Sequence, residues 1–373
     1  MTNLPEYMLT YPTVFAVGDY YEIIVPFTAE IIMWVTVGDS TYYDDANGIL
    51  RSNTEIHRVK VPMELLNKEK KYTVIYRKMI ERTPYFPTSE DEREITIDFR
   101  PVKDEGDINL YFIADSHCLV DAPVAAAKPY ADALDFLVLG GDIPEQGDCL
   151  KNFTTIHKIT SGITHGEIPT VYARGNHDTR GIFAEKLTDY IPTRDGKTYY
   201  TFRVGSVWGF VIDCGEDKDD TSIEYGNTVC FHNFRLAETE YIKEVIANGN
   251  KEYAAPGVKH RLIISHVPFT YIHKAPFDIE QEIYREWTRL IGENVKPNLM
   301  ICGHRHLTKI CPPGSEDDDM GQPCHVIIGS KPIFDKASGN HSFIGSAITL
   351  MENGKQRIIF SHSNGDIISD EII

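Results

Sequence analysis

The chain has 373 residues, 42% of them hydrophobic and 25% charged, which suits a folded protein of two or three domains with buried cores. A formal net charge of −18 argues against a protein that coats nucleic-acid backbone, and against docking on an anionic membrane, because both need a lysine- and arginine-rich surface. It does not argue against phosphate, provided carboxylates hold cations that invert the local charge, so the placement of the 14 histidines becomes the question.

The start, Met1-Thr2-Asn3-Leu4-Pro5-Glu6, has no basic segment followed by an apolar run. No stretch reaches the roughly 18 apolar residues of a membrane span. Seven cysteines are scattered without a CxxC pair, which reads as reduced thiols in a cytoplasmic protein.

Residues 1–104 read as an all-β sandwich. Runs rich in Ile, Val, Tyr and Phe at 20–28, 30–38, 56–62, 71–79 and 93–100 are separated by turn signals such as Gly38-Asp39-Ser40 and Asp45-Ala46-Asn47-Gly48. Lys71-Tyr72-Thr73-Val74-Ile75-Tyr76 alternates ring and polar groups, as a strand with one face on a core does. Leu66 followed by Tyr72-x-Val74-x-Tyr76 resembles the tyrosine-corner strand of fibronectin type III-like sandwiches.

Residues 105–373 change character to α/β alternation. Strands are expected at 108–114, 136–139, 170–173, 199–204, 207–213, 261–265, 299–302, 326–329, 343–351 and 357–361. Helices are expected at 122–133, 149–163, 233–248 and 279–291. Five of these strands end in metal-capable side chains: Asp115-Ser116-His117, Gly141-Asp142, Gly175-Asn176-His177-Asp178, His266, and Gly303-His304-Arg305-His306. Taken singly, each is ordinary. An Asp-x-His is usually a turn, Asn-His-Asp a helix cap, and a lone buried His a core residue. Five in succession, each at a strand end, are not a chance pattern, because open α/β sheets gather functional groups at the carboxyl ends of their strands.

Imidazole and carboxylate suit divalent Mn, Fe or Zn, and Asp142 is the natural carboxylate to bridge two of them. Alternate residues of an extended segment face opposite ways, so a local turn must bring Asp115 and His117, or His304 and His306, to one side.

The ordered set Asp115-x-His117, Gly141-Asp142, Gly175-Asn176-His177-Asp178, His266 and Gly303-His304-x-His306 resembles the signature of the calcineurin-like metallophosphoesterases over about residues 108–361. The resemblance implies a four-layer α/β/β/α sandwich with a dinuclear metal site between two sheets. It implies one metal on Asp115, His117, His306 and shared Asp142, and a second on Asp142, Asn176, His266 and His304. A metal-bridging hydroxide is then the nucleophile. His177 stabilises the phosphate or protonates the leaving group, and Asp178 orients His177.

With its N-terminal sandwich the chain also resembles purple acid phosphatases. It departs from them at Glu145, where they carry an iron-binding tyrosine, and at His117, where they usually carry glycine.

Arg180 is read either as a phosphate clamp or as an ion-pair partner. His273 and Tyr225 are candidate substrate contacts. The acidic run Glu316-Asp317-Asp318-Asp319 is an exposed loop and a candidate lid. The expected activity is hydrolysis of a small phosphomonoester or phosphodiester, with no extended nucleic acid and no membrane as partner. The competing readings are a nuclease or nucleotide phosphodiesterase, and a non-catalytic binding scaffold of the same fold.

Overall fold

A computed structural model describes residues 4–373. The N-terminal region contains β1 (Thr13–Val17), β2 (Tyr20–Pro26), β3 (Ile31–Val37), β4 (Ile56–Pro62), helix α1 (Met63–Glu69), β5 (Lys71–Glu81) and β6 (Arg93–Asp98). β3 buries every second residue from Ile31 to Val37, the period-2 pattern of a strand with one face on a core. Two antiparallel sheets result. β6, β5 and β3 pair in that order, and β1, β2 and β4 form the other.

The larger region begins with β7 (Ile108–Ile113), α2 (Asp121–Ala127), β8 (Phe136–Leu139), α3 (Leu150–Thr164) and β9 (Thr170–Tyr172). The helix expected at 122–133 is α-helical only to Ala127 and finishes as a 3-10 turn, Lys128–Ala133. Pro129 explains the change, since it has no N–H to continue the α ladder. β7, β8 and β9 run parallel.

β10 (Tyr200–Val204), β11 (Val207–Ile212), α4 (Phe231–Ala247), β12 (His260–Ser265), α5 (Gln281–Leu290) and β13 (Leu299–Cys302) follow. The chain then forms β14 (Leu307–Cys311), β15 (His325–Asp335), β16 (Asn340–Leu350), β17 (Gln356–His362) and β18 (Ile367–Ile372). β15 begins parallel to β13 in one sheet and ends antiparallel to β16 in the other, so it ties the two sheets together.

Four layers follow from the strand alternation. Leu110, Phe112, Val138 and Val171 of the first sheet face Val211, Leu262, Ile264, Leu299 and Ile301 of the second across a common core. Their neighbours Tyr111, Ile113, Leu137 and Leu139 turn outward onto Ala126 of α2 and Phe153, Ile156 and Ile159 of α3. On the far side, Phe210, Ile263 and Met300 turn onto Ile242 of α4 and Trp287 of α5. The α/β/β/α architecture is therefore as expected.

The first sheet does not stop at the N-terminal region. β1 runs parallel to β9, with Phe15 opposite Thr170, so β1, β2 and β4 extend the sheet built on β7, β8 and β9. Phe15 and Ile24 pack outward with the α3 residues, while Val14, Ala16, Ile23 and Val25 pack inward with Met33, Val35, Val74 and Tyr76. Tyr72 donates its hydroxyl to the carbonyl of Gly166, 3.0 Å away in the turn between α3 and β9. One sheet thus has two covers on its inner face, the second large sheet at one end and the β3–β5–β6 sheet at the other. Among the described residues no helix is long and apolar enough to cross a membrane.

Candidate metal centre

Each element delivers its ligand by ending at the same rim. β7 leads into Asp115 and His117, β8 into Asp142, β9 into Asn176 and His177, β12 into His266, and β13 into His304 and His306. The turns that deliver them are strained. Asp115, His117, Cys118, Asp142, His304 and His306 all have left-handed backbone, with φ between 46° and 70°. Such conformations cost on the order of 1 kcal/mol or more per non-glycine residue, and they gather where function requires them. They are also the turns that swing alternate residues to one side.

The glycines of the motifs have a steric reason. A Cβ on Gly175 would lie 2.2 Å from Oδ1 of Asp142, and one on Gly303 would lie 2.8 Å from Oδ2 of Asp115. Only glycine lets these backbones close over the carboxylates.

Donor atoms converge in overlapping groups. Nε2 of His117 lies 3.0 Å from Nε2 of His306, which is 3.5 Å from Oδ1 of Asp115. Nε2 of His266 lies 3.1 Å from Oδ2 of Asp142 and 3.8 Å from Oδ1 of Asp115. Nδ1 of His304 lies 3.1 Å from Oδ1 of Asn176. Ligand atoms come within 4.8 Å of one another in each of three overlapping sets: Asp115, His117 and His306; His117, Asp142 and His177; and Asp115, Asp142 and His266. Nε2 of His266 is buried and faces Oδ2 of Asp142 without a well-aligned hydrogen bond. The N/O donor set and its facing donor atoms fit first-row divalent cations.

The nitrogens turned away from this centre face polar groups. Nδ1 of His266 donates to the carbonyl of Gly140 at 2.7 Å, which leaves Nε2 for the centre. Nδ1 of His117 stands 3.2 Å from Oε2 of Glu145 without a well-aligned hydrogen bond. Carboxylates and carbonyls behind ligand imidazoles set tautomer and orientation. Glu145 thus has a role that its mismatch with purple acid phosphatases did not reveal.

The electrostatics belong to a site built around positive charge. Burial pushes the carboxyl of Asp115 up to about 7. Burial also opposes charge on Asp142 and His266, but their mutual contact outweighs it. It holds Asp142 below the usual carboxylate range and raises His266 above the ordinary imidazole value. Burial drives His117 down to about 4 and His304 well below the ordinary value, so both rings are neutral, as ligands must be.

The remaining expected residues divide. His177 faces the centre, with its amide donating to Oδ1 of Asp142 at 2.8 Å. Its Nδ1 is 3.0 Å from the carbonyl of Glu145, and its Nε2 is 3.2 Å from Nη1 of Arg180. A guanidinium only donates, so Nε2 accepts there and Nδ1 carries the proton.

The expectation that Asp178 orients His177 is corrected. Asp178 is fully buried and accepts from the Tyr172 hydroxyl at 2.6 Å and the Gly175 amide at 2.8 Å, so it braces the turn under Asn176. The clamp reading of Arg180 gives way to the ion pair, because Nε and Nη2 grip both oxygens of buried Glu216 at 2.8 Å. Tyr225 is corrected as well. It is buried and its hydroxyl is spent on Glu216 and Asp217.

His273 does line the cleft, a hollow of about 590 Å³ that also contains Asp142, Asn176, His177, Lys274 and Arg305. The acidic run is not a lid. Asp317 pairs with Arg305 at 2.7 Å, Asp318 accepts from the amides of Gly314, Gly321 and Gln322, and Asp319 accepts from the amide of Ile272. It is a buttress behind the cleft wall.

An α/β/β/α sandwich carrying two adjoining clusters of His, Asp and Asn at its strand ends defines a metal-dependent phosphoesterase. A family model for the calcineurin-like phosphoesterases matches residues 108–307, more than half of the chain, and the chain belongs to that family. Its structure is similar to a purple acid phosphatase, PPD1, from yellow lupin (Lupinus luteus) seeds, with a TM-score of 0.63 and 11% identity over 99% of this chain and 74% of that one. It is also similar to PhoD, with a TM-score of 0.57 and 11% identity over 99% of this chain and 94% of that one. At this identity the likeness is one of fold. No curated relative matches the chain.

Proposed function

We propose that this protein hydrolyses small phosphate esters at a dinuclear centre. Asp115, His117 and His306 would hold one cation and Asn176, His266 and His304 the other, with Asp142 available to both. Two bound divalent cations supply Lewis acidity toward phosphoryl oxygens and a water of lowered pKa. The observation that carries the reading is the convergence of His117, His306, Asp115, His266 and Asp142 donor atoms in a protein of this family.

The chain's own residues do the rest. The carbonyl of Glu145 holds the Nδ1 proton of His177, so Nε2 must exchange its contact with Nη1 of Arg180 for a proton before it protonates the ester or steadies a phosphoryl oxygen. Arg180, anchored by Glu216, holds that nitrogen in place. The small openings around the centre, lined by few cations, suit a compact ester better than a polyanionic strand.

The experiment is metal analysis together with turnover of p-nitrophenyl phosphate and its bis ester. Asp142→Ala should lose metal and turnover together. His177→Ala should keep its metal and turn over slowly. Full turnover by the Asp142 variant would overturn the reading, and no metal with no activity in the wild type would favour the scaffold.

A further inference from the structure

The metal centre opens on two sides, and the sides differ. One is the cleft bearing Lys274 and Arg305. The other is a pocket of about 460 Å³ on the His117 and His306 side, walled by Leu119, Ile333 and Phe334 and free of lysine and arginine.

Phe334 sits on β15 directly opposite His341 on β16. The two rings stack at 4.7 Å between centroids with an interplanar angle of 30°. Phe334 is nevertheless 54% exposed. A large aromatic ring held flat by a cross-strand partner, yet left open beside a reaction centre, is a platform for a second flat ring. Glu145 at the same rim is half exposed and carries the pocket's negative charge, which turns away a further anionic group.

We infer that this pocket is a subsite for the uncharged planar ring of a ring-bearing phosphoester, such as a nucleotide, whose phosphate lies at the metal centre. The inference rests on the phosphoesterase reading and narrows its substrate class.

Adenosine 5′-monophosphate and ribose 5-phosphate test it, because they share the phosphate and its primary ester bond and differ in the base. Each is used as a competitive inhibitor of p-nitrophenyl phosphate turnover by the metal-loaded protein. The nucleotide should bind about 10-fold more tightly, the value of one base stacked on an aromatic ring. Phe334→Ala should close that gap, and Phe334→Trp should keep it. Equal binding by the wild type, or an unchanged gap in Phe334→Ala, overturns the subsite. If no phosphoester is turned over, the two ligands are titrated calorimetrically, where they are not consumed. A gap that persists there and depends on Phe334 upholds the subsite while the hydrolytic reading falls.

Discussion

Two buried polar regions of this molecule are built on opposite principles. At the metal centre, carboxylates and imidazoles face one another across gaps and the backbone is strained. At the seam between the N-terminal sheets and the rest, buried Glu22 is saturated. Its Oε1 takes Nε of Arg58 at 2.8 Å, its Oε2 takes the Thr193 amide at 3.2 Å, and Arg58 also donates to the carbonyl of Thr188. Thr13 of β1 meets Nδ1 of His157 on α3 at 2.9 Å in the same seam, although Nε2 of that ring has no hydrogen-bond partner. A buried charge that holds a fold together is satisfied from within, whereas one that serves chemistry keeps lone pairs open for what must bind.

That contrast can be broken by substitution. The largest effect is expected at Asp142→Ala, a drop of about 10³-fold in kcat with loss of bound metal. The metal-free variant should unfold somewhat more easily than the metal-free wild type, because His266 loses the carboxylate that faces it at 3.1 Å. Retained metal and turnover would show that Asp142 is structural instead. Glu22→Ala should do the reverse. Leaving Arg58 partly buried and unpaired should cost about 3–5 kcal/mol in denaturant unfolding, with metal content and turnover per folded molecule retained. Metal loss from this variant would erase the distinction between the regions.

Arg180→Lys sharpens the comparison within the site itself. Lysine cannot grip both oxygens of Glu216 and reach His177 together. We expect about a 10-fold loss in kcat at constant metal content, with a changed pH–rate profile. A change in KM alone would return Arg180 to a substrate contact.

The smallest effect is at His157, which burial pushes down to about 3. Folded, this ring stays neutral, but unfolded it binds a proton below about pH 6.5. Its contribution is therefore fully present above that pH and is lost as pH falls toward 3, by up to about 1.4 kcal/mol per pH unit. Wild type and His157→Gln, unfolded at pH 7 and pH 5, should show a steeper acid loss in the wild type. Parallel losses would refute the assignment.

Much of the site was legible because each candidate ligand lies within four residues of a strand end, and β-strands announce themselves by apolar runs. Asp115, His117, Asp142, Asn176, His177, His266, His304 and His306 all reach the rim that the order of strands implied. The residues behind them were not legible in the same way. Glu145 was visible only as a departure from a pattern, and Glu216 lies 36 residues from the Arg180 it holds. Asp178 adjoins His177 in sequence, yet the 3-10 turn at His177–Thr179 sends it inward to Tyr172. Tyr225 looked like a substrate contact and the acidic run like a lid, whereas the Tyr225 hydroxyl is bound to Glu216 and Asp217 and Asp317 to Asp319 brace their own loop and the cleft wall.

By itself the sequence determined the α/β alternation, the all-β start and the gathering of metal-capable side chains at strand ends, since these depend on local periodicity and on where strands end, while the four-layer arrangement was what the family resemblance implied. Only the tertiary structure decided that β1 joins β9 in one continuous sheet. Only it decided which polar groups are spent on one another and which are left for a ligand, and that Phe334 and His341 meet beside the metal centre. Those outcomes depend on distances between residues far apart in the chain, and the chain records them only once it has folded.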